Sequence, residues 1–200
     1  MEREDLLRAV AEAGYNVGFG AKRHLSTYDM VAKLPGVIGF VSLAIGIFGL
    51  FIDYLSAKSF SALFIVFGVA GIQVNQYETK KEEYSIAGKK LTELFNRLKV
   101  LYFNVKAADD TDLEGYEADL RTIEAEFNEK SLSDQILFSN WFAHYKFFWE
   151  QQIGWIEEQK KFRFLRDKVP LTLILTILIA VFAVLYACYG KQIQVCGLSV

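Results

Sequence analysis

The chain has 200 residues, 52% of them hydrophobic and 23% charged, with 17 Phe, 10 Tyr and only 2 Pro. A net charge of −2 projects no field toward nucleic acid, and two cysteines, Cys188 and Cys196, supply neither a disulfide scaffold nor a zinc site. The apolar residues concentrate in three blocks with most of the charge between them, the pattern of a membrane protein that carries one soluble insert.

The first 15 residues, MEREDLLRAVAEAGY, are too acidic and amphipathic for a secretory signal, so the first apolar block is expected to direct insertion itself. Residues 2–13 predict a short helix with Leu6, Leu7, Val10 and Ala11 on one side, interrupted or loosened by Gly14, Gly18 and Gly20. A second short piece, Ala21 to Lys33, leads toward the apolar block. It reads either as an interfacial helix offering Lys22, Arg23 and His24 to headgroups or as a plain connector.

Leu34 to Ile52 is 19 residues without a charge, close to the length that crosses a hydrocarbon core of roughly 30 Å. Phe60 to Ile72 is a shorter run that reaches spanning length if Lys58 snorkels at one end and Gln73 and Asn75 meet headgroups at the other. A seven-residue link makes the two a membrane hairpin over 34–76. The competing reading, a hairpin buried in a soluble bundle, is disfavoured by a third uncharged run, Pro170 to Tyr189. In the first run Gly36, Gly39, Ser42, Gly46 and Gly49 recur at steps of three and four. They therefore share one helix face, serving packing within the hairpin or a seam between subunits or around a pore. The second run has a looser version in Ser61, Gly68, Gly71 and Asn75.

Residues 77–168 predict a helical bundle. Glu78 to Val105 carries Ala87, Leu91, Leu94, Phe95, Leu98, Leu101, Tyr102 and Val105 on one face and is expected to continue straight out of the second run. A turn at 107–112 follows, with Asp110 or Thr111 as helix cap. The next helix shows Leu113, Tyr116, Leu120, Ile123 and Phe127. Ser131 with Asp134 predicts a capping-box start to a last helix running from Leu132 toward Lys168. Its aromatic residues cover more than one face, so it is expected either at the centre of the bundle or against another subunit. Trp141, Tyr145, Phe148 and Trp155 are the candidates for an oligomer interface. Pro170 opens the third run, residues 169–189, and 190–200 form a tail.

Lys and Arg set the orientation. Lys22, Arg23 and Lys33 precede the first run, Lys80, Lys81, Lys89 and Lys90 follow the second, and five basic residues between Lys160 and Lys168 precede the third. Three spans place all these flanks on one side. The N-terminal segment (1–33) and the bundle are thus expected in the cytoplasm, and the tail outside the inner membrane.

No Gly-rich phosphate loop, HExxH or CxxC occurs. His24 and His144 are far apart, and the acidic run at 109–114 lacks calcium-loop spacing, so neither catalysis, metal nor cofactor is expected. The apolar runs hold no ionisable residue, which argues against coupled transport. What remains is a structural anchor or an oligomeric pore lined by small and hydroxyl groups. The candidate lining is Gly39, Ser42, Gly46 and Gly49 of the first run or Thr172, Thr176 and Ala180 of the third. Leu43, Ile47 and Leu50 are the candidate dewetting gate.

The layout of a short N-terminal helical region, a glycine-rich span, a brief loop and a second span, followed by QVNQYETKKEEYSIAGKKLTELFNRLKVLY, resembles the SLATT family of bacterial two-helix membrane effectors. The resemblance covers residues 15–105 well and the later helices loosely, and rests on Lys22, Tyr77, Glu83, Tyr84, Leu91 and Leu98 as well as on layout. It implies a homo-oligomeric, pore-forming effector of bacterial immunity, encoded beside enzymes that make or sense nucleotide signals. The chain departs in its third apolar run and in having no fused sensor. Sensing would then belong to a separate nucleotide-sensing or nucleotide-synthesising partner. The alternative role is a non-conducting anchor that holds a cytoplasmic partner at the bilayer.

Overall fold

The computed structural model describes residues 1–52, 58–109 and 113–196, and the described residues contain helices and no strand. The chain divides into two compact units, Met1–Lys161 and Phe162–Val200.

The first unit is built on one helix, α1 (Arg3–Phe48), of 46 residues. The break expected between residues 13 and 21 is absent. Gly14, Gly18 and Gly20 lie inside the continuous helix. The first two are contact points: a Cβ at Gly14 would overlap the Trp155 ring, and one at Gly18 would sit 2.6 Å from Phe95 Cδ2. The glycines let aromatic side chains reach the helix axis, which explains why a costly residue is tolerated mid-helix. Nor is 21–33 an interfacial segment. Ala21, His24, Ser26, Thr27 and Val31 are buried in the bundle, and His24 does not face headgroups.

Helix α2 (Lys58–Asn75) returns beside the last part of α1, and α3 (Lys81–Ala107) packs along its first part. The pair α1 and α3 runs antiparallel, since Arg3 Nη1 donates to the Ala108 carbonyl at 3.2 Å. The apolar stripe of α3 is buried as its spacing predicts, with Leu91, Leu94 and Leu98 at zero exposure. Gly88 admits Leu25 of α1, whose Cγ would be 2.7 Å from an added Cβ. The continuation from α2 into α3 holds in outline, Phe60–Ala107 forming one long helical stretch, with a local irregularity. The chain turns at Gln76 and Tyr77, and a 3-10 turn at Glu78–Lys80 leads into α3.

Helix α4 (Glu114–Lys130) covers α3 with Leu120 and Ile123 and starts with acidic Glu114 and Glu117, which suit a helix N-terminus. The expected caps Asp110 and Thr111 lie outside the described residues, as do the hairpin-link residues 53–57.

The single helix expected from Leu132 to Lys168 is replaced by short pieces. Residues 131–138 are non-helical, so the Ser131–Asp134 capping box does not form. Ser131 instead ends α4 in extended geometry. Next come α5 (Ser139–Tyr145), a π turn at Lys146–Glu150 and α6 (Gly154–Glu157). The physical reason is the aromatic load: rings around a full helix cannot all be buried on α1. The breaks let Phe147 meet Tyr15 edge-on at 5.5 Å and place Trp155 over Gly14, with centroids 5.6 Å from Phe95 and 5.3 Å from Tyr102. Tyr102 Oη and Lys106 Nζ both donate to Glu158 Oε2, at 2.8 and 2.7 Å, tying α6 to α3.

The second unit contains a π turn at Phe164–Lys168 and α7 (Leu171–Cys196). Side chains along its first half are exposed, Ile179 at 69% and Phe182 at 71% among them.

Candidate functional site: the root of the membrane hairpin

The hairpin half of α1 and α2 from Phe60 to Gln73 are largely apolar, with no buried residue between Phe60 and Gln73. Phe40 is 73% exposed, Leu50 79% and Phe51 81%. Two helices of the described residues are long and apolar enough to cross a membrane, and these segments supply their apolar windows. The buried-hairpin alternative is therefore wrong for this single chain: such surface needs lipid or another apolar cover.

The predicted small-residue face can now be located. An added Cβ at Gly36, Gly39 or Gly46 would meet nothing within 4 Å, and the same holds for Gly68 and Gly71 in α2. These glycines are not spent on packing inside the hairpin. Ser42 and Gly49 are partly covered, and Leu43, Ile47 and Leu50 are exposed. In α7, Thr172, Thr176 and Ala180 are exposed, and Thr176 Oγ1 donates to its own helix at the Thr172 carbonyl, 2.8 Å away.

Where the hairpin meets the bundle, sequence reasoning missed a bolt. The non-helical connector 131–138 is held by side chains from α1, from the turn after α2 and from α3. The His24 ring accepts the Leu132 N–H through Nε2 at 2.9 Å, and its Nδ1 lies 2.7 Å from the Gly20 carbonyl. Nδ1 therefore carries the proton, and the ring is neutral. Burial, the largest influence, pushes the His24 imidazole below its ordinary range. Thr27 Oγ1 donates to Gln135 Oε1 at 2.6 Å, and Gln135 Nε2 donates to the Leu132 carbonyl at 3.0 Å. From the start of α3, Tyr84 Oη donates to the Asp134 carbonyl at 2.7 Å. Tyr77, in the turn, donates to the Gln135 carbonyl at 3.3 Å. Burial raises the Tyr84 phenol, which stays a donor.

The bolt seats Ile136 in a small core of its own with Val31 of α1 and Val74 of α2, flanked by Met30, Leu34 and Tyr77. One residue of the connector is thus wedged between the roots of the two apolar helices. Two residues later Phe138 takes the left-handed conformation, φ 68°, among the described residues the one non-glycine with positive φ. That costs a non-glycine residue of order 1 kcal/mol or more and is held by the surrounding contacts. The residues that could have signalled it are Tyr77 and Tyr84, seven apart, with His24 and Thr27 in the charged stretch that precedes the first apolar run.

The aromatic interface candidates separate. Trp155, 4% exposed, is a core residue of the single chain. Trp141 and Phe148 are half-buried, and Tyr145 is 53% exposed. Asp29 of α1 pairs with Lys33 at 2.7 Å and with Lys146 of the π turn. Burial would raise its carboxyl, but the two lysines hold it below the usual carboxylate range.

No curated protein and no solved structure matches the chain. A family model does, over residues 1–177, which takes in the whole first unit with its hairpin and the opening turns of α7. With two apolar helices rising from a helical bundle, the chain belongs to the family of SMODS and SLOG-associating 2TM effector domains, in the group numbered 6.

Proposed function

We propose that the protein is a homo-oligomeric, pore-forming or membrane-perturbing effector of a bacterial defence system of the abortive-infection type. In this reading it is triggered by a separate nucleotide-signalling partner. One observation carries this reading: the small-residue faces of the hairpin are open in the single chain. Lipid tails gain little from a groove of glycines, whereas a second helix gains close backbone approach. Copies assembled through Gly36, Gly39 and Gly46 would bring Ser42 and the flanking Leu43 and Ile47 toward a common axis, as lining and gate. The first run is favoured over the third for this role, because the Thr176 hydroxyl is already engaged with its own backbone. The bundle lies in the cytoplasm, where the basic flanks place it, and α7 forms a third span with its end outside. Triggering works through the connector: a partner that displaces residues 131–138 withdraws Ile136 from between the helix roots and lets the hairpin open.

The test is flux from liposomes together with mass in detergent. An oligomer that releases ions or dye when reconstituted is expected. A protein that is monomeric at every concentration, or an oligomer that never conducts with or without its neighbouring gene products, leaves the anchoring role instead.

A further inference from the structure

A groove of about 470 Å³ runs between α1 and α5 at the point where α1 leaves the bundle. One wall is Met30, Leu34 and Val37; the other is Trp141, Phe142 and Tyr145. Met30, Leu34 and Val37 follow one another along α1 at steps of four and three, and on α5 Trp141 and Phe142 stand four and three residues before Tyr145. We propose that this groove is a lipid site, taking an acyl chain of an anionic phospholipid with its phosphate at Lys33. The inference rests on the membrane placement of the hairpin.

Three features select this occupant. The groove is continuous with the bilayer-facing surface: Leu34 opens the uncharged run, and Val37 and Phe40 carry the apolar face onward, more than half exposed. Its size is in the range that encloses small ligands. Its walls carry a Trp and a Tyr next to the start of the uncharged run, the residue types that meet headgroups at a bilayer surface.

The lip supplies the charge. Asp29 is shared by Lys33 and Lys146, which leaves one positive charge in excess. Lys146 is enclosed and lies over the Phe142 ring, 4.6 Å from its centroid. Lys33 is 71% exposed, so its ammonium can keep Asp29 and still donate to a phosphate oxygen.

The experiment uses the full chain with Trp149→Phe, leaving Trp141 in the groove and Trp155 in the core, reconstituted in bilayers with lipids brominated in the acyl chain. Brominated phosphatidylglycerol should quench Trp141 saturably, half-maximally at about one-fifth the mole fraction needed for brominated phosphatidylcholine, as one Lys at a membrane surface warrants. Lys33→Gln should abolish the difference. Val37→Phe, which fills the groove, should cut quenching by both lipids without changing elution volume. Equal, non-saturating quenching by the two lipids overturns the proposal. So does absence of quenching with Trp141 crosslinking between copies, which would mean that a second copy covers the groove. A Phe40→Trp reporter separates the two levels of failure. If it is quenched while Trp141 shows no lipid preference, only the lipid site falls. If it is not quenched either, the membrane placement falls too.

Discussion

Acid should loosen the bolt at the hairpin root before it reaches the paired carboxylates. His24 is 3% exposed and works as a neutral ring, with Nε2 accepting from Leu132 and Nδ1–H facing the Gly20 carbonyl. A second proton on Nε2 would face the Leu132 N–H and sever the link. Burial lowers the pKa of both His24 and His144 in the folded chain. The unfolded chain therefore binds protons near pH 6.5 that the folded chain does not, and stability falls as pH drops below that value. Each histidine contributes a slope of at most about 1.4 kcal/mol per pH unit, until its own folded pKa is passed. Between pH 6.5 and 5 that is at most about 2 kcal/mol per histidine, or a few degrees of melting temperature in a chain of this size. The window is clean. Asp29, Glu117, Glu126 and Glu158 are held below their ordinary values, so what they contribute is lost only in more acidic solution. Melting of the detergent-solubilised protein, followed by tryptophan fluorescence from pH 7 to 5, reads this directly. His24→Gln should melt lower at pH 7 and show a shallower slope, with His144 supplying what remains. A flat wild-type profile, or a variant that keeps the full slope, would refute the reasoning.

Ile136→Ala, at a site 4% exposed, should cost about 2–5 kcal/mol and raise basal leak in liposomes; unchanged leak in a destabilised protein would show that the wedge is only core. Gly18→Leu should overpack the Phe95 and Phe147 rings and destabilise by about 1–3 kcal/mol or more, read as a lower melting temperature, while Gly115→Ala, with open space around it, should be neutral or mildly stabilising. Ser42→Leu or Gly46→Leu should stop flux without preventing membrane insertion, and Thr176→Leu should not; the reverse pattern, measured by the same dye release, would move the pore wall to α7. Phe148→Ala should shift the mass in detergent toward monomer, whereas Trp155→Ala should lower the melting temperature instead.

The parts of the fold legible in the sequence are those governed by one period. The stripe Leu91 to Val105 is buried as its spacing requires, and the uncharged runs are the bare helices. What was not legible depends on contacts between distant residues. Gly14 and Gly18 look like breaks because their local propensity is poor, yet the Trp155 and Phe95 rings fill the notches they leave. The aromatic segment looks like one helix because rings tolerate helical geometry, yet α1 offers it only one side to pack on. Ile136 carries no signal of its own. Its importance comes from Val31 and Val74, more than 60 residues away in either case, from three side chains that grip the backbone beside it, and from Thr27, which holds the Gln135 side chain.

The two membrane helices are not joined to the bundle in the same way, and this asymmetry gives the wedge its leverage. Helix α1 runs unbroken from the bundle to Phe48, near the end of the first apolar run, so its two halves form one rod. Its one irregularity is Pro35, which removes the rung to the Val31 carbonyl, on the residue that contacts Ile136. Helix α2 stops at Asn75, and Gln76 and Tyr77 form a turn before the 3-10 segment, the place where the proposed opening would put its hinge. In the proposed triggering, a push on the connector would be resisted by the rod and taken up at the turn, where Tyr77 grips the connector and Val74 packs on Ile136. Opening of the hairpin should then be a swing of α2 about Gln76 and Tyr77, with α1 fixed. Spin labels at Phe40 and Val69 should move apart on triggering, while labels at Phe40 and Glu12, both on α1, keep their distance. A change in the second pair as large as in the first would mean that α1 bends at Pro35 and that the hinge lies in the rod.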